Sequence, residues 1–86
     1  MHELSIAREI ARMAQERVGE ARARRLVSVG VDVGDDAGVE VGSLAFCLEA
    51  VLAAPPFGAA RPVIRRTAGD MLQVSYLEVD DDDPDD

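Results

Sequence analysis

The chain predicts an α+β domain in which two helices pack on one face of a three-stranded sheet, in the order α-β-α-β-β. Three observations carry that prediction: an amphipathic repeat over the first twenty residues, a strict alternation of valines in the following stretch, and an apolar helix ended by prolines before two strand-like runs.

From about Leu4 to Glu20, the residues Ile6, Ala7, Ile10, Met13, Ala14 and Val18 fall on one helical face and Arg8, Arg12 and Glu16 on the other. Val27, Val29, Val31 and Val33 then alternate with Ser28, Gly30 and Asp32, the period of a half-buried strand built from β-branched side chains. The segment Gly34-Asp35-Asp36-Ala37-Gly38 reads as a loop. Ser43 is placed to cap a helix running to about Ala53. In that helix Leu44, Cys47, Leu48 and Val51 make an apolar stripe that Phe46 and Ala50 broaden, so the helix is expected to be well covered. Ala54-Pro55-Pro56-Phe57-Gly58 ends it, because proline cannot donate within a helix and restricts the residue before it. Pro62 to Arg66 and Met71 to Val79 read as strands joined by a hairpin turn at Thr67-Ala68-Gly69-Asp70, with glycine supplying a positive φ.

The 86 residues, 48% of them hydrophobic, suit one domain over residues 1–79. Of the seventeen acidic residues, six lie in Asp80-Asp81-Asp82-Asp83-Pro84-Asp85-Asp86, and a run of like charges with nothing apolar to bury predicts a solvated, disordered tail over residues 80–86. All nine basic residues are arginine, and Arg22, Arg24 and Arg25 cluster, yet the formal charge of −8 and the scarcity of aromatic residues argue against a nucleic-acid partner. No apolar run reaches the roughly 20 residues a membrane helix needs, and an acidic third residue without a basic leader favours a cytoplasmic location. The single Cys47 forms no internal disulfide, and without any CxxC pair neither a structural zinc site nor a redox couple is encoded. Cys47 is expected to act as a small buried hydrophobe. One histidine, one cysteine and no evident carboxylate pair give catalysis little to work with, so no enzyme is expected.

Metal chemistry is concentrated at Met1-His2-Glu3. A free α-amine and an imidazole both offer lone pairs near neutral pH. Between them lies the His2 amide, which an electrophilic divalent ion can deprotonate and bind, closing two fused chelate rings. The amide of Glu3 supplies a fourth nitrogen. Four nitrogens in a plane suit Ni(II) or Cu(II), whereas Zn(II) prefers a tetrahedron that a backbone-anchored set does not provide. The competing reading is a frayed terminal residue without a ligand role.

The opening Met1-His2-Glu3-Leu4-Ser5-Ile6, the segment Val31-Asp32-Val33-Gly34 with Gly38-Val39-Glu40 after it, the run Ser43 to Val51, and the closing Leu77-Glu78-Val79 together resemble the HypA family of nickel-insertion accessory proteins. The resemblance implies that Ni(II) is held by Met1, His2 and Glu3, and that Glu40 is a carboxylate partner for the ring of His2. It also implies delivery of nickel for [NiFe]-hydrogenase maturation, with an accessory GTPase and the hydrogenase large subunit as partners. Members of that family normally carry two cysteine pairs in a zinc-binding insertion between the second and last strands. Here the interval from Arg66 to Met71 is short, and no structural zinc is expected. A domain that has lost such a lobe has one other reading, a protein-interaction or regulatory module without metal.

Overall fold

In a computed structural model, which describes residues 2–80, the chain folds as α1 (Glu3–Val18), α2 (Glu20–Ala23), β1 (Leu26–Gly34), α3 (Val41–Leu52), β2 (Arg61–Thr67) and β3 (Leu72–Val79). This is the α+β arrangement expected, with the helices on a three-stranded sheet. The first helix breaks at Gly19, whose φ of 85° lies in the left-handed region that favours glycine, and one further turn, α2, follows it.

The strand order is β2-β1-β3, which corrects the expected hairpin. β1 pairs parallel to β2, from Ser28 with Arg61 to Gly34 with Thr67, and antiparallel to β3, from Leu26 with Val79 to Val33 with Leu72. The segment Thr67-Ala68-Gly69-Asp70 therefore crosses over the end of β1. Gly69 does take a positive φ of 90°, as a turn there requires. The crossover is stitched to the end of β1 by three successive amides: Gly34 N–H donates to the Met71 carbonyl at 2.6 Å, Asp35 N–H to Thr67 at 2.8 Å and Asp36 N–H to Gly69 at 2.8 Å. Gly34 is required for that approach, because a Cβ there would collide with the Gly69 carbonyl.

β1 is paired along both edges and is buried at every residue but Val27. Val29, Val31 and Val33 face the helices, packed with Ala7, Ile10, Ala11 and Ala14 of α1 and with Leu44, Leu48 and Leu52 of α3. The leucines recur every four residues and are fully buried, each stabilising the fold by about 1.5–3 kcal/mol. The alanines keep α1 thin on its inner face. On the other sheet face, Asp32 is only 4% exposed, because Arg65 Nε and Nη2 both donate to it at 3.1 Å and Gln73 Nε2 at 3.2 Å. Those donors hold its carboxyl below the usual aspartate range.

Two expectations for α3 are corrected. Its cap is Glu40, not Ser43, so the helix starts earlier. Its coverage is incomplete: Phe46 is 74% exposed and Ala50 is exposed, because the burying stripe is the narrow Leu44, Leu48, Leu52 row. Cys47 is half-buried at the margin of that row. No helix among the described residues is long and apolar enough to cross a membrane. The expected tail lies outside the described residues apart from Asp80.

Candidate metal centre

The path of the chain sorts its charged residues between the two ends of the sheet. β1 and β2 run toward one end, and α1, α3 and β3 start from it. That end therefore gathers the N-terminal segment, the loop from Gly34 to Glu40 and the crossover from Thr67 to Met71.

His2 is the residue before the first turn of α1. Its backbone is extended (φ −86°, ψ 118°), its carbonyl accepts the first helical bond from Ile6 N–H at 3.2 Å, and its side chain makes no capping bond. The imidazole is exposed. The first amides of a helix have no carbonyl one turn back to bind. The amides of His2 and Glu3 are therefore outside the helical hydrogen-bond ladder, which begins with Ile6. Met1 lies outside the described residues.

Glu3 ties this segment to α3. Its Oε2 accepts from the backbone N–H of Glu40 at 3.1 Å, and that bond, with a further one from its own amide, lowers its carboxyl below the usual glutamate range. Glu40 caps α3 with both carboxylate oxygens: Oε2 accepts from Gly42 N–H at 3.0 Å, and Oε1 from Ser43 N–H at 2.9 Å and from the Ser43 hydroxyl at 3.0 Å. These donors, the Gly42 amide first, hold the Glu40 carboxyl low as well. Gly42 leaves room for the cap, since a Cβ there would come within 3.2 Å of Glu40 Oε1. Glu40 thus reaches the N-terminal segment through its backbone, while its side chain serves its own helix.

Sequence reading missed three neighbours of this segment. Asp35, Asp36 and Asp70 stand on the loops that the crossover bonds hold together, and with Glu3 and Glu40 they make five carboxylates at one end. Arg66 is the arginine among them, 3.3 Å from Asp35 and near enough to Glu40 to favour its charged form. The loop composition alone carried that signal, but only the β2-β1-β3 order brings Asp70 beside Asp35. Among the described residues no three histidine, cysteine, aspartate or glutamate side chains converge as a metal cluster.

The chain is a small α+β domain with an exposed imidazole at the start of its first helix, set in an acidic end. The chain is a member of the HypA family, described as hydrogenase/urease nickel incorporation, metallochaperone, and matches it over residues 1–78. Among curated proteins it is 45% identical over 51 residues to the hydrogenase maturation factor HypA of Azotobacter chroococcum mcd 1, an alignment covering 59% of this chain and 45% of that protein. It is 33% identical over 69 residues to the factor of the same name from Geobacter metallireducens, covering 80% of this chain and 60% of that one. A third, from Azoarcus sp. strain BH72, is 40% identical over 52 residues, covering 60% and 46%. The chain thus spans about half the length of the curated relatives it matches.

Proposed function

We propose that the chain binds one Ni(II) ion through the Met1 amine, the His2 amide and ring, and the Glu3 amide, and carries it for hydrogenase maturation. The observation that carries this reading is the position of His2 and Glu3 ahead of the helical ladder: the metal takes two amide nitrogens without breaking a helical hydrogen bond. A bare cation at a helix N-terminus would oppose the positive end of the dipole. Two deprotonated amides cancel the charge of a divalent ion, so this chelate escapes that penalty. The surrounding carboxylates favour the approach of a cation from solution.

Glu3 and Glu40 fix the segment against α3, which reduces the freedom lost on chelation. One lone pair of Glu40 Oε2 stays available beyond its bond to Gly42, and in the loaded protein it accepts from the ring nitrogen of His2 that faces away from the metal. An exposed site with one side-chain ligand is open to a receiving protein, as transfer demands. By family likeness the receivers are an accessory GTPase and the hydrogenase large subunit, in the cytoplasm and with no chemistry catalysed by the chain itself. No structural zinc takes part, since the only cysteine is Cys47 and the crossover between β2 and β3 is short.

Calorimetric titration of the untagged protein with Ni(II) tests the reading. The natural chain should take up one ion, while His2→Ala, or one residue added before Met1, should abolish uptake. Equal titrations of all three would reject it.

A further inference from the structure

The helices pack on the face of the sheet that carries Val29, Val31 and Val33, and among the described residues no helix lies on the other face. On that open face β1 presents Ser28, Gly30 and Asp32, each roofed by side chains from a flanking strand. Glu78 Oε1 accepts from the Ser28 hydroxyl at 2.8 Å, the Tyr76 ring lies over Gly30 where a Cβ would collide with it, and Arg65 and Gln73 donate to Asp32. The side chains of Ser28 and Asp32 are thus satisfied within the sheet, and covering the face leaves neither of them unpaired. The strand register sets the outermost residues in three rows across the sheet, with β2 at one edge and β3 at the other: Arg61 and Glu78, Val63 and Tyr76, Arg65 and Gln73. Val63 and Tyr76 are each 45% exposed and the Arg65 side chain 73%. Ser28 stands between Arg61 and Glu78, and among the described residues no ion pair joins them.

We infer that this open face binds the same face of a second copy of the chain, about a two-fold axis lying along β1. Such an axis sets β2 of each copy against β3 of the other, row by row. Every row is then complementary. The Arg61 guanidinium meets the Glu78 carboxylate of the second copy, and Val63 meets Tyr76. In the third row the Arg65 Nη1, which Asp32 does not take, meets the amide oxygen of Gln73, whose nitrogen is already given to Asp32. The two-fold makes each contact twice. An axis across the strands would instead oppose Arg61 to Arg65, so charge selects the first arrangement. Two sheets pack face to face in this way about 10 Å apart with their strands roughly 30° off parallel. Three strands and three rows span roughly 15 by 20 Å, about 300 Å² for each copy. A standard stable complex covers about 800 Å² on each partner, so this pairing is weak and forms at high protein concentration. The helices lie on the far layer of each copy, and the segment at His2 stays open whether or not it carries nickel.

Sedimentation equilibrium and amide NMR of the metal-free protein test the pairing at about 0.15 M salt, where charges more than about 8 Å apart are largely screened. Between about 0.05 and 1 mM the average mass should rise toward twice that of one chain, with concentration-dependent shifts at Gly30, Val63 and Tyr76 and none along α1 or α3. Arg61→Glu and Glu78→Arg should each lose the rise, since a face whose two edges carry the same charge repels its own copy. An equimolar mixture of the two variants should regain it, because each edge then meets the opposite charge. Both variants remain acidic overall, so attraction between whole molecules does not account for a gain on mixing. A natural chain that keeps the mass of one chain at about 1 mM overturns the proposal, as do single variants that associate like the natural chain or a mixture that gains nothing. Association whose shifts centre on Phe46, or on the groove between α1 and β3, places the second copy elsewhere and overturns it too.

Discussion

The two ends of the sheet use the same secondary elements and hold their charged residues differently. One gathers Glu3, Asp35, Asp36, Glu40 and Asp70 around the start of α1, and the other gathers Arg22, Arg24, Arg25 and Arg61 around the exit of β3. The acidic end is also the more tightly built: a capped helix, a cross-link between α1 and α3 and three crossover amides meet there. The other end mixes its arginines with Glu20, Glu49 and Glu78, and among the described residues no ion pair engages Arg24, Arg25 or Arg61. The difference puts the cross-links at the end where the proposed chelate would sit.

Acid should separate the two properties of the acidic end, and this is the largest effect expected. Chelation requires the amine, the imidazole and two amides to lose protons, so nickel should be released as pH falls below neutrality. The fold answers to different groups. Glu3, Glu40 and Asp32 have carboxyls held below their ordinary values of 4.5, 4.5 and 3.8. The stability they contribute is complete above those values and is lost only as pH falls through the lower, folded ones. At about pH 5.5 the protein should be folded by circular dichroism yet take up no nickel in equilibrium dialysis. Unfolding that accompanies nickel loss would tie the two together and remove the distinction.

Gly34→Ala should come next, destabilising the protein by about 1–3 kcal/mol in urea titration, because its methyl would meet the Gly69 carbonyl in the crossover. Gly19→Ala should destabilise by a similar amount, about 1–3 kcal/mol, but through backbone strain instead of collision. A Cβ there meets nothing within 4 Å, while φ 85° with ψ 151° is a conformation open essentially to glycine alone. The smallest effect is on rate. Asp35→Asn/Asp36→Asn/Asp70→Asn should slow nickel association a few-fold at low salt and leave the final stoichiometry unchanged in stopped-flow measurements, since these carboxylates steer without ligating. Charge reversal of Arg24, Arg25 and Arg61 should leave nickel uptake as it is.

The elements were legible where periodicity is a local property. The first helix, the valine strand and the proline stop after α3 follow from the side chains alone, although Met13 and Val27, members of those apolar rows, are exposed. The pairing of the strands was not read, because a short Gly-containing link serves a hairpin and a crossover equally well. The stronger signal was the valine strand itself: the strand densest in β-branched residues belongs in the middle, and a helix between β1 and β2 allows them to pair in parallel. Phe46 was placed inside because a nearly all-apolar helix hides which of its rows is buried. For the site, Met1-His2-Glu3 and Glu40 were singled out from the sequence, but the bond from the Glu40 amide to Glu3 joins residues 37 positions apart and has no local signature. The same holds for Asp70 beside Asp35, which depends on the strand order.

The central claim is that nickel replaces the amide protons of His2 and Glu3 in a flat nitrogen set, and two-dimensional amide NMR of the 15N-labelled chain during Ni(II) addition at pH about 7.5 observes those protons directly. Flat four-nitrogen Ni(II) is diamagnetic, so the His2 and Glu3 signals should disappear at one equivalent while those of Leu4 onward stay sharp and only shift near the site. Persistence of both amide signals, or paramagnetic broadening spread over Asp35, Asp36 and Asp70, would instead place the ion on carboxylates and contradict the account.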